Sequence, residues 1–244
     1  MGKLTKDQDA FGRAIHDCHR NGSGHELVER DDGFVDLSSG PHAYFAEYRK
    51  WPKYEREAIK LAKGRVLDVG CGAGRCALYL QQKGLDVLGI DISPLAIRVC
   101  KLRGLRKAKE ISITQVTPAL GTFDTIIMFG NNFGLFGSFK QARWLLKRFH
   151  GMTSPDARIV AATLDPYQTK DPCHLQYHVL NRKRGRMGGQ VRIRIRYRTY
   201  ATPWFDYLFV SREELGTILD GTGWRLARTI DSDGPEYAAV LEKR

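Results

Sequence analysis

Between Arg65 and Asp91 the chain carries a pattern that few folds accommodate. Val66, Leu67 and Val69 form a short apolar run around Asp68, and glycines follow at positions 70, 72 and 74. A helical run from Cys76 to Lys83 comes next. Gly84 ends it, and Leu85 to Ile90 is a second apolar run that stops at Asp91. Glycine takes backbone angles that other residues resist, and it lets the main chain approach a ligand closely. Strand, glycine turn, helix, strand and acid, in that order, are the nucleoside-binding half of a doubly wound α/β fold.

The glycine spacing narrows the ligand. A dinucleotide turn wants G-x-G-x-x-G. Here the spacing is G-x-G-x-G, and Arg75 stands where the third glycine of that fingerprint would be. Asp68, two residues before the first glycine, would repel a diphosphate and favour an ammonium or sulfonium group. The segment resembles motif I of the class I S-adenosylmethionine-dependent methyltransferases, and Asp91 resembles their ribose-binding acid. The resemblance implies S-adenosylmethionine as cofactor and a Rossmann-like sheet of seven strands with the last pair antiparallel. It places Gly70, Cys71, Gly72 and Gly74 against the methionine part, Asp68 near its ammonium, and Asp91 with Ile92 at the ribose. The family often sets an acid after the third strand to meet the adenine. This chain offers Ser112 and Ile113 there, so backbone groups would do that work. Phe129 and Gly130, at the end of the fourth strand, complete the expected cofactor contacts.

The rest of the chain reads as the same fold. Ser93 and Pro94 open a helix as N-cap and first residue, and Gly104 stops it. Further strands are expected at 110–116, 123–129 and 158–164, with a helix over 138–149 between the last two. Ser211 and Glu214 form a capping box for a helix over 212–219. Strands at 224–230 and 237–241 then close the sheet. The methyltransferase core accordingly covers 55–165 and 211–244, flanked by an N-terminal helical lid (1–54) and an inserted antiparallel substrate cover (166–210). In the lid, Tyr44 and Tyr48 belong to an aromatic stripe at helical spacing. In the insertion, 174–180 and 190–200 read as a β-hairpin, with a third strand at 204–210. Arg192, Arg194, Arg196 and Arg198 alternate with Val191, Ile193, Ile195 and Tyr197, so one face of that strand packs and the other is cationic.

The loop after the fourth strand carries the second chemical signal. Gly130-Asn131-Asn132-Phe133 is similar to the Gly-Asn-Ser-Phe loop of glycine and other small-amine N-methyltransferases. It assigns Asn131 and Asn132 to orienting the nucleophile and Phe133 to excluding water. Tyr44, Tyr48, His174, His178, Arg194 and Arg196 are candidates for binding the acceptor, and His174, His178 and Tyr48 are candidate bases. Asp165-Pro166-Tyr167 is similar to the Asp-Pro-Pro-Tyr loop of amino-DNA methyltransferases, but it follows the fifth strand rather than the fourth.

Composition bounds the rest. The 244 residues suffice for a full core, and no apolar run approaches the roughly 18 residues of a membrane span. The first eight residues lack a signal-peptide core. The five cysteines show no zinc spacing, and the pairs His16/His19 and His174/His178 offer no four-ligand set, so no metal is expected. Scattered thiols point to a reducing cytoplasm. The net charge of +12 permits an anionic partner, partly through the arginine strand. The expected function is a cytoplasmic methyltransferase acting on nitrogen or oxygen of a small molecule. The alternative is an RNA or DNA methyltransferase that uses the basic hairpin for phosphate contacts.

Overall fold

The computed structural model describes residues 4–38 and 40–244. Its first half runs α1 (Ala10–Asn21), β1 (Leu27–Arg30), β2 (Val35–Leu37), α2 (His42–Phe45), α3 (Lys53–Ala58), β3 (Arg65–Val69), α4 (Arg75–Gln82), β4 (Asp86–Asp91), α5 (Pro94–Leu102) and β5 (Ala108–Glu110). The second half adds β6 (Phe123–Met128), α6 (Phe139–His150), β7 (Thr153–Leu164), α7 (Pro172–Lys183), β8 (Gln190–Tyr197), β9 (Tyr200–Ala201), β10 (Phe205–Leu208), α8 (Arg212–Leu219), β11 (Trp224–Asp231) and β12 (Glu236–Lys243). The main sheet has seven strands in the order β11-β12-β7-β6-β3-β4-β5. The pairs β4–β5 and β6–β7 are parallel, whereas β7–β12 and β11–β12 are antiparallel. A second sheet runs β10-β8-β1-β2 with β9 on β8.

The chain forms two compact units. One comprises the chain up to Trp51 with Val66–Val116 and Arg192–Phe205; the other comprises Pro52–Arg65, Thr117–Val191 and Asp206–Arg244. In the first, β3 and β4 read as near-continuous apolar runs because Val66, Leu67, Val69, Val87, Leu88 and Ile90 are all buried, as strands covered on both faces must be. In the second, Ile126, Ile127 and Met128 of β6 and Ile159 to Ala162 of β7 are buried in the same way. Local signals set the helix ends. The Ser93 side chain accepts from Ala96 N–H with Pro94 next in the chain, and Ser211 and Glu214 form the full capping box of α8.

Four expectations need correction. The stretch 174–180 is not a strand but the middle of α7. Asp171 accepts from Cys173 N–H and Pro172 fills the first helical position, a start signal that outweighs the apparent alternation. Instead β8 pairs with β1, Leu27 opposite Arg196 and Arg30 opposite Ile193, and on its other side with β9 and β10. The N-terminal segment is therefore not purely helical, since it supplies β1 and β2 to the second sheet. The third strand covers only 108–110, because Ser112 and Gln115 build a reciprocal cap on a 3-10 turn over Ile113–Gln115. The fifth strand begins early, at Thr153. Its register against β6 shifts between Phe123–Thr153 and Thr125–Arg158, and that irregularity takes up Pro155, which cannot donate to a ladder. Among the described residues no helix is long and apolar enough to cross a membrane.

Candidate active site

In the first unit the glycine turn is held by its own hydrogen bonds. Gly70, Gly72 and Gly74 all have positive φ, at 70°, 54° and 82°, a region that a Cβ disfavours. Gly70 and Cys71 N–H both donate to Ile90 O, at 2.9 and 3.0 Å, and Gly74 N–H donates to Cys71 O at 2.7 Å. Gly72 N–H donates to Asp91 Oδ2 at 2.9 Å. With these amides turned inward, the loop is a poor cradle for a diphosphate, which binds through free backbone donors.

What the turn leaves available is acceptor capacity. Asp91 is buried, and Ser93 N–H donates to its other oxygen at 2.9 Å. A carboxylate has about four lone-pair sites; the Gly72, Ser93 and Ile92 N–H groups fill part of that capacity, and the remainder is open to a ligand hydroxyl. Burial lifts the Asp91 carboxyl to about 6, against the pull of these backbone donors. Asp68 is only 3% exposed, and its Oδ2 has no hydrogen-bond partner. Burial lifts it to about 7, an effect that nearby Arg75 opposes. An orphaned buried carboxylate oxygen of this kind is costly to an empty site and suits a cationic group. Ile92 is half-buried beside Asp91. Ile111 N–H donates to Asp91 O at 2.9 Å, which brings Ser112 and Ile113 just past the end of β4. The Ser112 N–H is spoken for by Gln115 Oε1. The Cys71 thiol lies 3.8 Å from Cys100 Sγ, and that hydrogen bond together with burial pushes its pKa well above the ordinary thiol value. It packs rather than reacts.

The N-terminal helix covers this turn. Ile15 clusters with Ala73, Ala96 and Val99, and Phe11, Tyr44 and Phe45 pack against the same group. Tyr44 meets Phe11 edge-on at 5.3 Å and donates its hydroxyl to buried Glu26. Tyr48 stacks on Tyr79 at 4.5 Å, close to Trp51, over which Arg75 lies. Arg103 donates to Ala73 O at 2.6 Å. Nothing in the motif pointed to Asp9, Glu26 or Arg103, whose partners are distant in sequence.

The second unit holds the Gly-Asn-Asn-Phe loop. Phe129 is buried, and Gly130 N–H donates to the buried carboxylate of Glu55 at 3.0 Å. Asn131 sits in the left-handed region at φ 63°. Its carbonyl accepts the Tyr207 hydroxyl at 2.7 Å, while its own Oδ1 is buried without a partner. Asn132 begins a 3-10 turn over Asn132–Phe136. Phe133 is fully buried and packs on Phe136. Burial raises the Tyr207 phenol above its ordinary range, so it holds its proton. Glu55 and Tyr207 are further residues that the motif did not announce.

The remaining candidates scatter. On α7, His174 is half-buried and His178 is buried edge-on to Tyr167. The Tyr167 hydroxyl donates to Glu214, so this tyrosine serves the packing of its unit. In the first unit Arg194 grips Glu29 through two bonds of 2.8 and 3.0 Å and covers the Trp204 ring. Arg196 reaches the same carboxylate at 3.3 Å. Arg198 lies past the end of β8 with φ 52° and pairs with Asp17. Among the described residues no three His, Cys, Asp or Glu side chains cluster as a metal set would.

A family described as a methyltransferase domain matches residues 42–229. A ubiquinone biosynthesis O-methyltransferase of Nitrosococcus oceani is 35% identical over 80 residues, which cover 30% of this chain and 34% of that protein. A magnesium-protoporphyrin O-methyltransferase of Rhodobacter capsulatus is 39% identical over 67 residues, covering 26% and 30%. The similarity thus spans about a third or less of these relatives. Among solved structures, a SAM-dependent methyltransferase of Bacteroides fragilis in complex with S-adenosyl-L-homocysteine has a TM-score of 0.84 and 27% identity, covering 99% of this chain and 98% of that one. The CcbJ methyltransferase of Streptomyces caelestis shares the fold at TM-score 0.66 and 13% identity, covering 97% and 99%.

Proposed function

The chain belongs to the methyltransferase-domain family that matches residues 42–229, and we propose that it transfers the methyl group of S-adenosylmethionine to nitrogen or oxygen of a small-molecule acceptor. The observation that carries the reading is the pair of buried carboxylates at the glycine turn, Asp68 with an orphaned oxygen and Asp91 with acceptor capacity beyond its backbone donors. A cofactor with an ammonium at one end and two ribose hydroxyls at the other matches that pair of acceptors.

Bound S-adenosylmethionine supplies an already activated methyl group, so the protein has to orient, desolvate and control protons. Asp68 holds the ammonium and Asp91 accepts the ribose hydroxyls. Gly70, Gly72 and Gly74 leave room for close approach, with Ile92, Ser112 and Ile113 along the nucleoside. Phe11 and Ile15 exclude water from the turn. Asn131, whose amide oxygen lacks a partner, orients the nucleophile, and Phe133 keeps its loop in shape from within. An amine acceptor needs only to arrive neutral, whereas a phenol needs a base. Tyr207 is unsuited to that role because it keeps its proton, which leaves His174, His178 and Tyr48 as candidates.

The nucleic-acid alternative draws on the arginine strand. The engagement of Arg194 and Arg196 by Glu29, and of Arg198 by Asp17, leaves less free positive charge for phosphates and supports the small acceptor. Incubation with methyl-labelled cofactor and pools of amines, phenols, carboxylic acids and RNA decides. Label in a small-molecule pool is the expected result, and label in RNA alone would overturn it.

A further inference from the structure

Asp9 takes no part in the reading above, yet it is 1% exposed and joins two helices. It is the N-cap of α1, and its Oδ1 accepts from Gly12 N–H at 3.0 Å. Its Oδ2 accepts from Leu95 N–H, 86 positions away, at 3.1 Å. The first turn of α5 is thereby fully satisfied. Pro94 has no N–H, Leu95 donates to Asp9, and Ala96 donates to Ser93 Oγ at 3.0 Å. First-turn donors of a helix otherwise need water or a cap. One carboxylate thus sits between two positive helix ends, where negative charge is favoured.

The packing around it leaves little freedom. A side chain at position 12 would collide with Ser93 Oγ and with the Asp9 carboxylate. One turn on, Phe11 Cζ and Ile15 Cδ1 lie 3.7 and 3.9 Å from where a Cβ on Gly72 would stand. Two residues before Leu95, Ser93 N–H donates to Asp91. The bond between Asp9 and Leu95 therefore fixes the roof, α1, to the element that also aims Asp91.

We infer that Asp9 is a positioning residue for the cofactor: it docks α1 on the start of α5, so that Phe11 and Ile15 close over the glycine turn. This rests on the turn being the cofactor site. Asp9 itself touches no ligand.

The discriminating variant is Asp9→Asn. Asparagine caps a helix about as well as aspartate, so the bond to Gly12 survives. Its amide nitrogen cannot accept from Leu95 N–H, so the bridge is cut; the charge of Asp9 that helps raise the Asp91 carboxyl is lost as well, and working above the Asp91 value keeps that change out of the comparison. The probe is S-adenosylhomocysteine, titrated calorimetrically at pH 8, above the value near 6 to which burial lifts Asp91. Amide hydrogen exchange over Arg13–Cys18 is measured in parallel. The inference expects Asp9→Asn to bind at least about tenfold more weakly, the lower end of the scale of one lost charge-assisted bond, with faster exchange in α1 and an otherwise native fold. Asp9→Ala, which also removes the cap, should bind more weakly still. If Asp9→Asn binds within twofold of the parent and α1 stays protected, Asp9 is a cap and nothing more. The same holds if only Asp9→Ala, folded or not, is impaired. If the parent protein itself fails to bind the probe, the reading of the glycine turn falls instead.

Discussion

The glycine turn and the arginine strand both concentrate charge, and they treat it in opposite ways. At the turn, Asp68 and Asp91 are buried, and what surrounds them satisfies only part of their hydrogen-bonding capacity. On the strand, Arg194 and Arg196 are half-buried to exposed and converge on Glu29 from the facing strand. Burying a carboxylate with unused lone pairs is unfavourable, so the fold keeps such a group only where a ligand completes it. A surface guanidinium beside a carboxylate has no such requirement. The difference teaches that partner-seeking charge is recognised by incomplete satisfaction rather than by its amount.

The largest effect that would break this comparison belongs to Asp91. Asp91→Ala removes the acceptor proposed for the ribose hydroxyls and leaves Gly72 and Ser93 N–H without theirs. Charge-assisted bonds are each worth about 1.5–3 kcal/mol, so S-adenosylhomocysteine should bind about 100-fold more weakly or worse. A folded variant with the parent's dissociation constant would show that the turn's carboxylates are structural after all.

Asn131→Ala comes next. With an acceptor in hand, it should lower kcat about tenfold while the dissociation constant for S-adenosylhomocysteine stays put, because the lost amide acts on orientation. Weakened cofactor binding with undiminished kcat would move this loop to the cofactor side.

Asp68 sharpens the comparison through pH. Its carboxyl lies near 7 and that of Asp91 near 6 when the site is empty. Both are raised above the unfolded value, so the folded protein holds these protons more tightly. The ligand-free protein should therefore lose stability as pH rises between about 4 and 7. An ammonium favours ionised Asp68, so affinity for S-adenosylhomocysteine should run the other way and fall about tenfold from pH 8 to pH 6. Asp68→Asn should bind more weakly at pH 8 and keep only the shallower dependence centred near 6 that Asp91 imposes. A parent protein whose affinity is flat from pH 6 to 8 would rule out this role for Asp68.

How far these regions could be read in advance follows from how local their determinants are. The glycine turn, the Ser93 and Ser211 caps and the terminal strand pair depend on residues within a few positions, and the sequence announces them. In α7, Leu175, Tyr177 and Val179 alternate as in a strand, yet Asp171 and Pro172 mark a helix start and prevail. The strand pair at 27–37 carries a turn signal in Asp31-Asp32-Gly33, between strands too short to show a period of their own. Glu29 against Arg194, Glu55 against Gly130, Tyr207 against Asn131 and Asp9 against Leu95 join residues 75 to 165 positions apart. No motif spans such separations, so the supports of the site emerge only from the fold.

The smallest effect belongs to the arginine strand, and it tests the other side of the comparison. Arg194→Gln with Arg196→Gln leaves Glu29 without its guanidinium partners, which now hold its carboxyl below the ordinary carboxylate value. Glu29 is accessible to water, so hydration replaces much of what is lost. Ion pairs open to solvent contribute little, and the midpoint of thermal unfolding should drop by only a few degrees. Affinity for S-adenosylhomocysteine should not change. With a small acceptor, KM should stay within about twofold at low and at high salt, since Glu29 already offsets these charges. A large rise in KM at low salt that fades as salt increases would mean that Arg194 and Arg196 leave Glu29 to meet an anionic acceptor. The arginine strand would then join the glycine turn as a place where charge is held for a ligand.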